Sequence, residues 1–322
     1  MSGDEQAVID RFFRHLGAVR TDVVLGIGDD GALLRTLPGC ELVQTIDALV
    51  EGVHFLPGSR PRSLGHRALA INLSDIAAMG ATPAWALLAL TLPEIDLAWL
   101  GEFATGFGSL ARTHDVALVG GNLSRGPLSV TVQLTGQVAA GTALRRSGAR
   151  AGDEIWVSGT LGDAALGRSA AAGAGGAAAE WLCARYEYPT PRVALGEALR
   201  GIASACIDLS DGLLADLPRL AASSECGALL QVEQLPLSPA LGALAGDLAW
   251  QQALAGGEDY ELCVAAPPAR AADLQALAAR LAVPLQRCGA LRSAPGLELQ
   301  RSGTVIQFSQ SPFDHFAVRP RA

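Results

Sequence analysis

Carboxylates recur in this 322-residue chain where short apolar runs end. In "GIGDDGALL" (26–34), Asp29 and Asp30 stand side by side between two apolar stretches. Like charges so placed repel each other and resist burial. Asp-Gly between apolar runs is also strong turn chemistry, so a turn and a site both stand as readings. Asp47 follows the strand-like "ELVQTI", with His54 close behind. The bland reading there is a strand end and turn, His54 being a half-buried aromatic. Asp75 falls on the same 3.6-residue stripe as Leu64, Ala68, Ile71 and Ala78 in "SLGHRALAINLSDIAAM" (63–79). A carboxylate on an apolar helical face needs an arginine or a metal, unless it caps a later, shorter helix. Asp208 and Asp211 flank Ser210 in "CIDLSDGLLADL" (206–217). Helix capping explains Ser210 or Asp211 but not Asp208, which ends an apolar strand. Glu258 and Asp259 follow two glycines in "GGEDYEL" (256–262).

Oxygen donors without thiols or clustered histidines favour hard cations, Mg²⁺ above all. An acidic protein that gathers Mg²⁺ typically handles phosphates, whose charge the metal bridges. "VGGNLSRGPL" (119–128) fits this chemistry, because Gly120 and Gly121 permit close backbone approach to an anion and Arg125 is near. Arg145 and Arg146 follow at the next junction.

The elements that must position these groups alternate between strand and helix. Val8, Ile9, Phe12, Phe13 and Leu16 make a helical face, and short strands are predicted around 22–25, 31–35 and 41–46. Helices over 63–79 and 96–113 enclose a buried strand at 84–92. "VALVG" (116–120) reads as a short strand ending at Gly-Gly, and "LSVTVQLTGQV" (128–138) as a long, half-buried strand with clean two-residue alternation. A change of composition at 141–153 marks a boundary between residues 1–140 and 141–322. Beyond it come strands at "EIWVSG", "ACID", "ALLQV" and "YELCVA", with helices near 192–201, 212–222, 247–255 and 268–282. "SAAAGAGGAAAE" (169–180) is a low-complexity surface excursion. The fold class is α/β, or mixed α+β, in two domains.

Composition excludes much. All 24 basic residues are arginine, so a Walker A loop, a Schiff-base lysine and a kinase-type strand lysine are ruled out. No Gly-x-Gly-x-x-Gly opens a helix after a strand, which argues against a Rossmann oxidoreductase. A net charge of −8 without a basic block speaks against nucleic acid as a partner. There is no apolar run of membrane-spanning length and no basic-then-apolar leader, so no membrane association is expected. Six scattered cysteines without a C-x-x-C pair suit a reduced cytoplasmic protein.

Taken together, "GIGDDGALL", "DALVEGVHF", "ALAINLSDIAAMGATPAWALLALTLP", "GGNLSRGPLSVTVQLTGQV", "LRRSGARAGDEIWVSGTLGD", "PTPRVALG", "CIDLSDGL", "GGEDYELC" and "FDHF" resemble the thiamine-monophosphate kinases. These belong to the superfamily that includes aminoimidazole ribonucleotide synthetase and selenophosphate synthetase. The matching stretches run from about residue 25 to residue 316. The resemblance implies a two-domain aminoimidazole ribonucleotide synthetase-like fold. Its N-terminal ATP- and metal-binding domain would form a homodimer through its sheet, and ATP with several Mg²⁺ ions would lie between the domains. Carried over by motif, Asp30, Thr45, Asp47, Asp75, Asn122, Asp208 and Asp211 would be metal ligands. Gly121, Asn122, Arg146 and Ser210 would contact the nucleotide, and His54, Glu258 and Phe313 the thiamine phosphate.

Two positions depart from the family. "GGNLSRG" puts Asn122 where a carboxylate is usual, so weaker metal binding is expected there. "TIDA" puts Ile46 at a position that could ligate only through its carbonyl. The implied reaction moves the ATP γ-phosphoryl group onto thiamine monophosphate. A phosphate oxygen with a second pKa of about 6 is already ionised at neutral pH, so no catalytic base and no phospho-enzyme are expected. A non-catalytic nucleotide-binding regulator and another ATP-dependent member of the superfamily are the alternatives.

Overall fold

The computed structural model describes residues 4–170 and 175–309. They form two compact units. One comprises the described residues up to Ala143 together with Glu187–Arg200, the other Leu144–Tyr186 together with those from Gly201 onward.

In the first unit, α1 (Glu5–Val8) runs into a π-helical turn, Ile9–Phe13, and buries Val8 and Phe13. β1 (Val23–Leu25) and β2 (Leu33–Leu34) pair as a short antiparallel hairpin around the Asp29–Asp30 loop. β3 (Cys40–Val50), α2 (Pro61–Ala78), β4 (Thr82–Leu92), α3 (Leu97–Thr113), β5 (Ala117–Arg125) and β6 (Ser129–Ala139) follow. Their sheet has the order β3-β6-β4-β5, antiparallel except for β4 with β5. Alternation does what the pattern requires. Val43, Leu49, Val130, Val132, Leu134 and Leu90 are buried on the face toward α2, while Ile46 and Leu87 on the other face are 64% and 41% exposed. α3 starts where Asp96 accepts bonds from the Ala98 and Trp99 amides, at 2.8 and 3.1 Å.

The second unit contains β7 (Glu154–Ser158), α4 (Asp163–Ala170) and α5 (Ala177–Glu187), which the chain leaves for α6 (Val193–Ala198) of the first unit. It continues with β8 (Ala205–Leu209), α7 (Leu213–Ser223), β9 (Gly227–Gln231), α8 (Pro239–Ala245), α9 (Ala249–Ala255) and β10 (Glu261–Ala266). α10 (Ala271–Leu281), β11 (Leu285–Arg292), β12 (Leu297–Arg301) and β13 (Thr304–Ile306) complete it. The seven strands lie in the order β13-β12-β9-β11-β7-β10-β8, and only β12 with β9 is parallel. Ile155, Val157, Ile207, Leu209, Leu217, Leu220, Leu230 and Cys263 form the core on one side of this sheet.

Returning to the first unit, the excursion at 187–200 is fastened to it at several points. His66 Nε2 lies 2.9 Å from the Pro189 carbonyl, Arg200 donates to the Gly80 carbonyl at 3.1 Å, and Arg60 pairs with Glu187 at 3.3 Å. Leu195 of α6 is fully buried, and α6 packs on α2.

Two expectations need correction. β5 does not end at Gly-Gly but runs on to Arg125. α2 is not amphipathic: 14 of its 18 residues are buried, so a single apolar stripe does not describe it. Within the low-complexity segment, residues 171–174 lie outside the described residues, and α5 begins at Ala177.

Candidate functional site

Three of the first unit's candidate residues, Asp30, Gly121 and Asn122, border a cleft of about 1040 Å³, which Asp29, Gln44 and Gln133 also line. Asp29 shapes its loop by accepting the Asp30 amide at 2.8 Å, which leaves Asp30 exposed at the rim. Asp29 thus serves the turn, while Asp30 borders the cleft. Arg14, missed by the sequence reading, props the same loop: its Nη1 donates to the Ile27 carbonyl at 2.9 Å while Asp10 holds its Nε at 2.7 Å. An arginine four residues after an aspartate on the N-terminal helix was the available signal.

Gly121 has a reason other than anion approach. Its φ is +151°, and a Cβ there would sit 1.9 Å from the Leu88 carbonyl of β4. The β4–β5 register slips between Ala86 and Leu87, and glycine lets the strands stay paired through that slip.

Asp47 and Thr45 of β3 project to the helix side of the sheet, where the Thr45 hydroxyl donates to Asp75 Oδ2 of α2 at 2.5 Å. Burial, and then the neighbouring Asp75 charge, push the Asp47 carboxyl up to about 7. Two carboxylates and a hydroxyl, with ionisation opposed by burial and by like charge, suit a hard divalent cation, which would relieve both costs. Among the described residues no three Asp, Glu, His or Cys side chains gather into a metal cluster, so within the first unit Asp30 does not complete one with this pair. His54 sits in the turn after β3, its Nδ1 accepting the Val50 amide at 3.0 Å, as the bland reading expects.

In the second unit, Asp208 is buried at the end of β8, and Ser210 and Asp211 form the turn into α7. The residue that organises this turn is Asp216, which the sequence reading passed over. Its Oδ2 accepts the amides of Ser210 and Asp211 at 3.0 and 2.9 Å, and its Oδ1 takes Arg219 Nη1 at 2.7 Å. Burial raises the Asp216 carboxyl to about 6 despite these donors. Its place among Leu213, Leu217 and Leu220 on one helical face was a signal of the kind applied to Asp75. The Arg146 side chain is exposed, and its carbonyl accepts the Ser224 hydroxyl at 2.9 Å.

Glu258 has φ +70° and lies 3.5 Å from Arg168. Asp259 beside it points inward: its Oδ2 accepts the Gly162 amide at 2.6 Å and its Oδ1 the Ala164 amide at 3.1 Å, at the start of α4. It shares the interior with Asp163 and Glu261, near Arg185. Phe313 lies outside the described residues.

Comparison with known proteins identifies the family. The model of the "AIR synthase related protein, N-terminal domain" family matches residues 28–138, and that of its C-terminal domain matches 150–301. The chain is 44% identical over 326 residues to thiamine-monophosphate kinase of Salmonella typhimurium, covering 99% of this chain and 100% of that protein. It is 40% identical over 325 residues to the Haemophilus influenzae enzyme, covering 98% and 99%. The crystal structure of thiamine-monophosphate kinase from Stenotrophomonas maltophilia K279a superposes with a TM-score of 0.84 at 47% identity, covering 89% of this chain and 93% of that one. AaThiL complexed with AMPPCP and TMP superposes with a TM-score of 0.78 at 32% identity, covering 90% and 92%. With both halves matched and whole-length relatives at this identity, the chain belongs to the thiamine-monophosphate kinases, within the AIR synthase related fold.

Proposed function

We propose that this chain phosphorylates thiamine monophosphate to thiamine diphosphate at the expense of ATP, with Mg²⁺ held by its carboxylates. The observation that carries the metal part is the half-buried Asp47–Asp75 pair beside Thr45, a donor set made only of oxygen. Asp30 and Asn122 at the cleft, and Asp208 and Asp211 in the second unit, are the further ligands proposed. Gly121, Asn122, Arg146 and Ser210 are assigned to the nucleotide, and His54, Glu258 and Phe313 to thiamine phosphate. The AMPPCP and TMP held by AaThiL, a related structure, support this pair of substrates. Magnesium, when bound, supplies charge neutralisation between two polyanions and fixes their phosphates in line. The chain's own residues hold the ions and orient the phosphates, and none needs to take a proton from the acceptor, whose oxygen is already ionised. The exposed apolar side chains Leu42, Ile46 and Leu87 on the open face of the first unit's sheet support a homodimer formed through that face. No helix among the described residues is long and apolar enough to cross a membrane, and we place the enzyme in the cytoplasm.

The test is to incubate the protein with ATP, Mg²⁺ and thiamine monophosphate and separate the products by chromatography, with Asp75→Asn alongside. Wild type is expected to form thiamine diphosphate and ADP, and the variant to lose about a hundredfold or more in rate. Wild type that binds ATP with Mg²⁺ yet forms no thiamine diphosphate would refute the acceptor. An Asp75→Asn enzyme of full activity would refute the metal site.

A further inference from the structure

Asp216 is 1% exposed and has no assigned ligand role of its own, yet its side chain grips the turn that carries Ser210 and Asp211. One oxygen accepts both the Ser210 and the Asp211 amide, and the other is held by Arg219, whose Nη1 also lies 2.7 Å from Asp211 Oδ2. The carbonyl side of the same turn is held from the next loop. The Glu258 amide donates to the Ser210 carbonyl at 2.8 Å, and the Tyr260 amide to the Leu209 carbonyl at 3.0 Å. The Ser210 residue is therefore clamped at both ends, by Asp216 at its nitrogen and by Glu258 at its oxygen. Glu258 and Tyr260 stand at φ +70° and +52°, a costly conformation for side-chain-bearing residues that persists only where the surroundings impose it. Contact between the two loops leaves no slack, since a Cβ on Gly257 would sit 2.6 Å from the Ser210 carbonyl oxygen.

We propose that Asp216 is a positioning residue that makes the 208–212 turn and the 256–260 loop a single rigid piece. Through it, the placement of the Asp211 carboxylate and that of the Glu258 side chain depend on one buried group. This rests on the reading above, in which Asp211 serves the metal and Glu258 the thiamine phosphate. Its consequence is that one substitution, at a residue touching neither ligand, degrades both recognition functions together.

The experiment measures, for Asp216→Ala, Asp216→Asn and Gly257→Ala, the Mg²⁺ concentration giving half-maximal rate, the KM for thiamine monophosphate and the Tm. Asp211→Asn and Glu258→Gln serve as references. Asp216→Ala and Gly257→Ala are expected to raise both the Mg²⁺ requirement and the KM, each about tenfold, as the loss of an ordering hydrogen bond would. Asp216→Asn keeps an oxygen for the two amides while half-exposed Arg219 swings away, so it stays within about threefold on both. A lowered Tm with both constants unchanged would show a purely structural group and overturn the proposal, as would a rise in one constant without the other. If Asp216→Ala does not fold, the same outcomes are read from Gly257→Ala. If Asp211→Asn leaves the Mg²⁺ requirement unmoved and Glu258→Gln leaves the KM unmoved, the functional assignment itself fails and takes the proposal with it.

Discussion

Replacing Arg185 by Gln should expose how the second unit keeps three acids inside. Asp163, Asp259 and Glu261 are 0%, 3% and 0% exposed. Arg185 meets Glu261 at 2.9 Å and Asp163 at 3.8 Å. Its positive charge also holds Asp259 down, against a burial that nonetheless pushes that carboxyl from the usual 3.8 up to about 7. Burial raises Asp163 as well. A group whose pKa is raised in the folded state holds its proton more tightly there than when unfolded. Its contribution to stability is therefore complete below the unfolded value and is lost as pH rises through the folded one. For Asp259 the window runs from about 4 to about 7, and roughly three pH units at 1.36 kcal/mol each make about 4 kcal/mol. Arg185→Gln removes the cation and breaks a buried pair, which costs about 3–5 kcal/mol where the acids are ionised. At pH 5, where Asp259 carries its proton in the folded protein, the loss should be smaller by at least about 1 kcal/mol than at pH 8. Urea unfolding of wild type, Arg185→Gln and Asp259→Asn at both pH values measures this, with Asp259→Asn expected to flatten the wild-type slope. Equal destabilisation by Arg185→Gln at pH 5 and pH 8, or an unchanged slope in Asp259→Asn, would refute the reasoning.

Two further outcomes follow from the first unit. Gly121→Ala must force a Cβ against the Leu88 carbonyl and should destabilise the protein by about 2–4 kcal/mol, read from the urea midpoint; a loss under about 0.5 kcal/mol would show that the strands separate freely there. Ile46→Asp places a charge on the open sheet face and should convert a dimer to a monomer in light scattering at micromolar concentration, while a dimer that survives it does not use this face.

Legibility in the sequence followed the geometry of each element. β6 was readable because apolar and polar residues alternate along it, although Thr135 and Gln137 on the polar face are buried too. Val130, Val132, Leu134 and Val138 are all at most 1% exposed, and the strand was placed within a residue at each end. The resemblance of the site motifs was equally direct, because acids at strand ends are local in sequence. α2 resisted periodic reading because it is enclosed on nearly every side, so a single apolar stripe does not pick out Asp75, which is only part-buried between buried Ser74 and Ile76. β5 was cut short because Gly-Gly normally stops a strand. Here the adjacent backbone at Leu88 is what demands glycine, and no local pattern reports a neighbour 33 residues away. Asp259 and Arg185 illustrate the same limit. Asp259 stood out beside Glu258 as an acid at a strand entrance, but its partners Gly162 and Ala164 lie nearly a hundred residues earlier. Only the fold shows it turned inward.

The return of residues 187–200 to the first unit bears on how the chain is made. A ribosome delivers residues in order, so the first unit lacks α6 and its ties to α2 until Arg200 has emerged. By then β7 has been synthesised, while both strands that flank it in the seven-stranded sheet, β10 and β11, have not. The nascent protein must therefore complete its first unit while carrying an unpaired strand with an apolar centre, "EIWVS", which waits for residues more than a hundred positions further on. That interval, rather than any weakness of the finished fold, is where this chain is most open to association with its neighbours during synthesis.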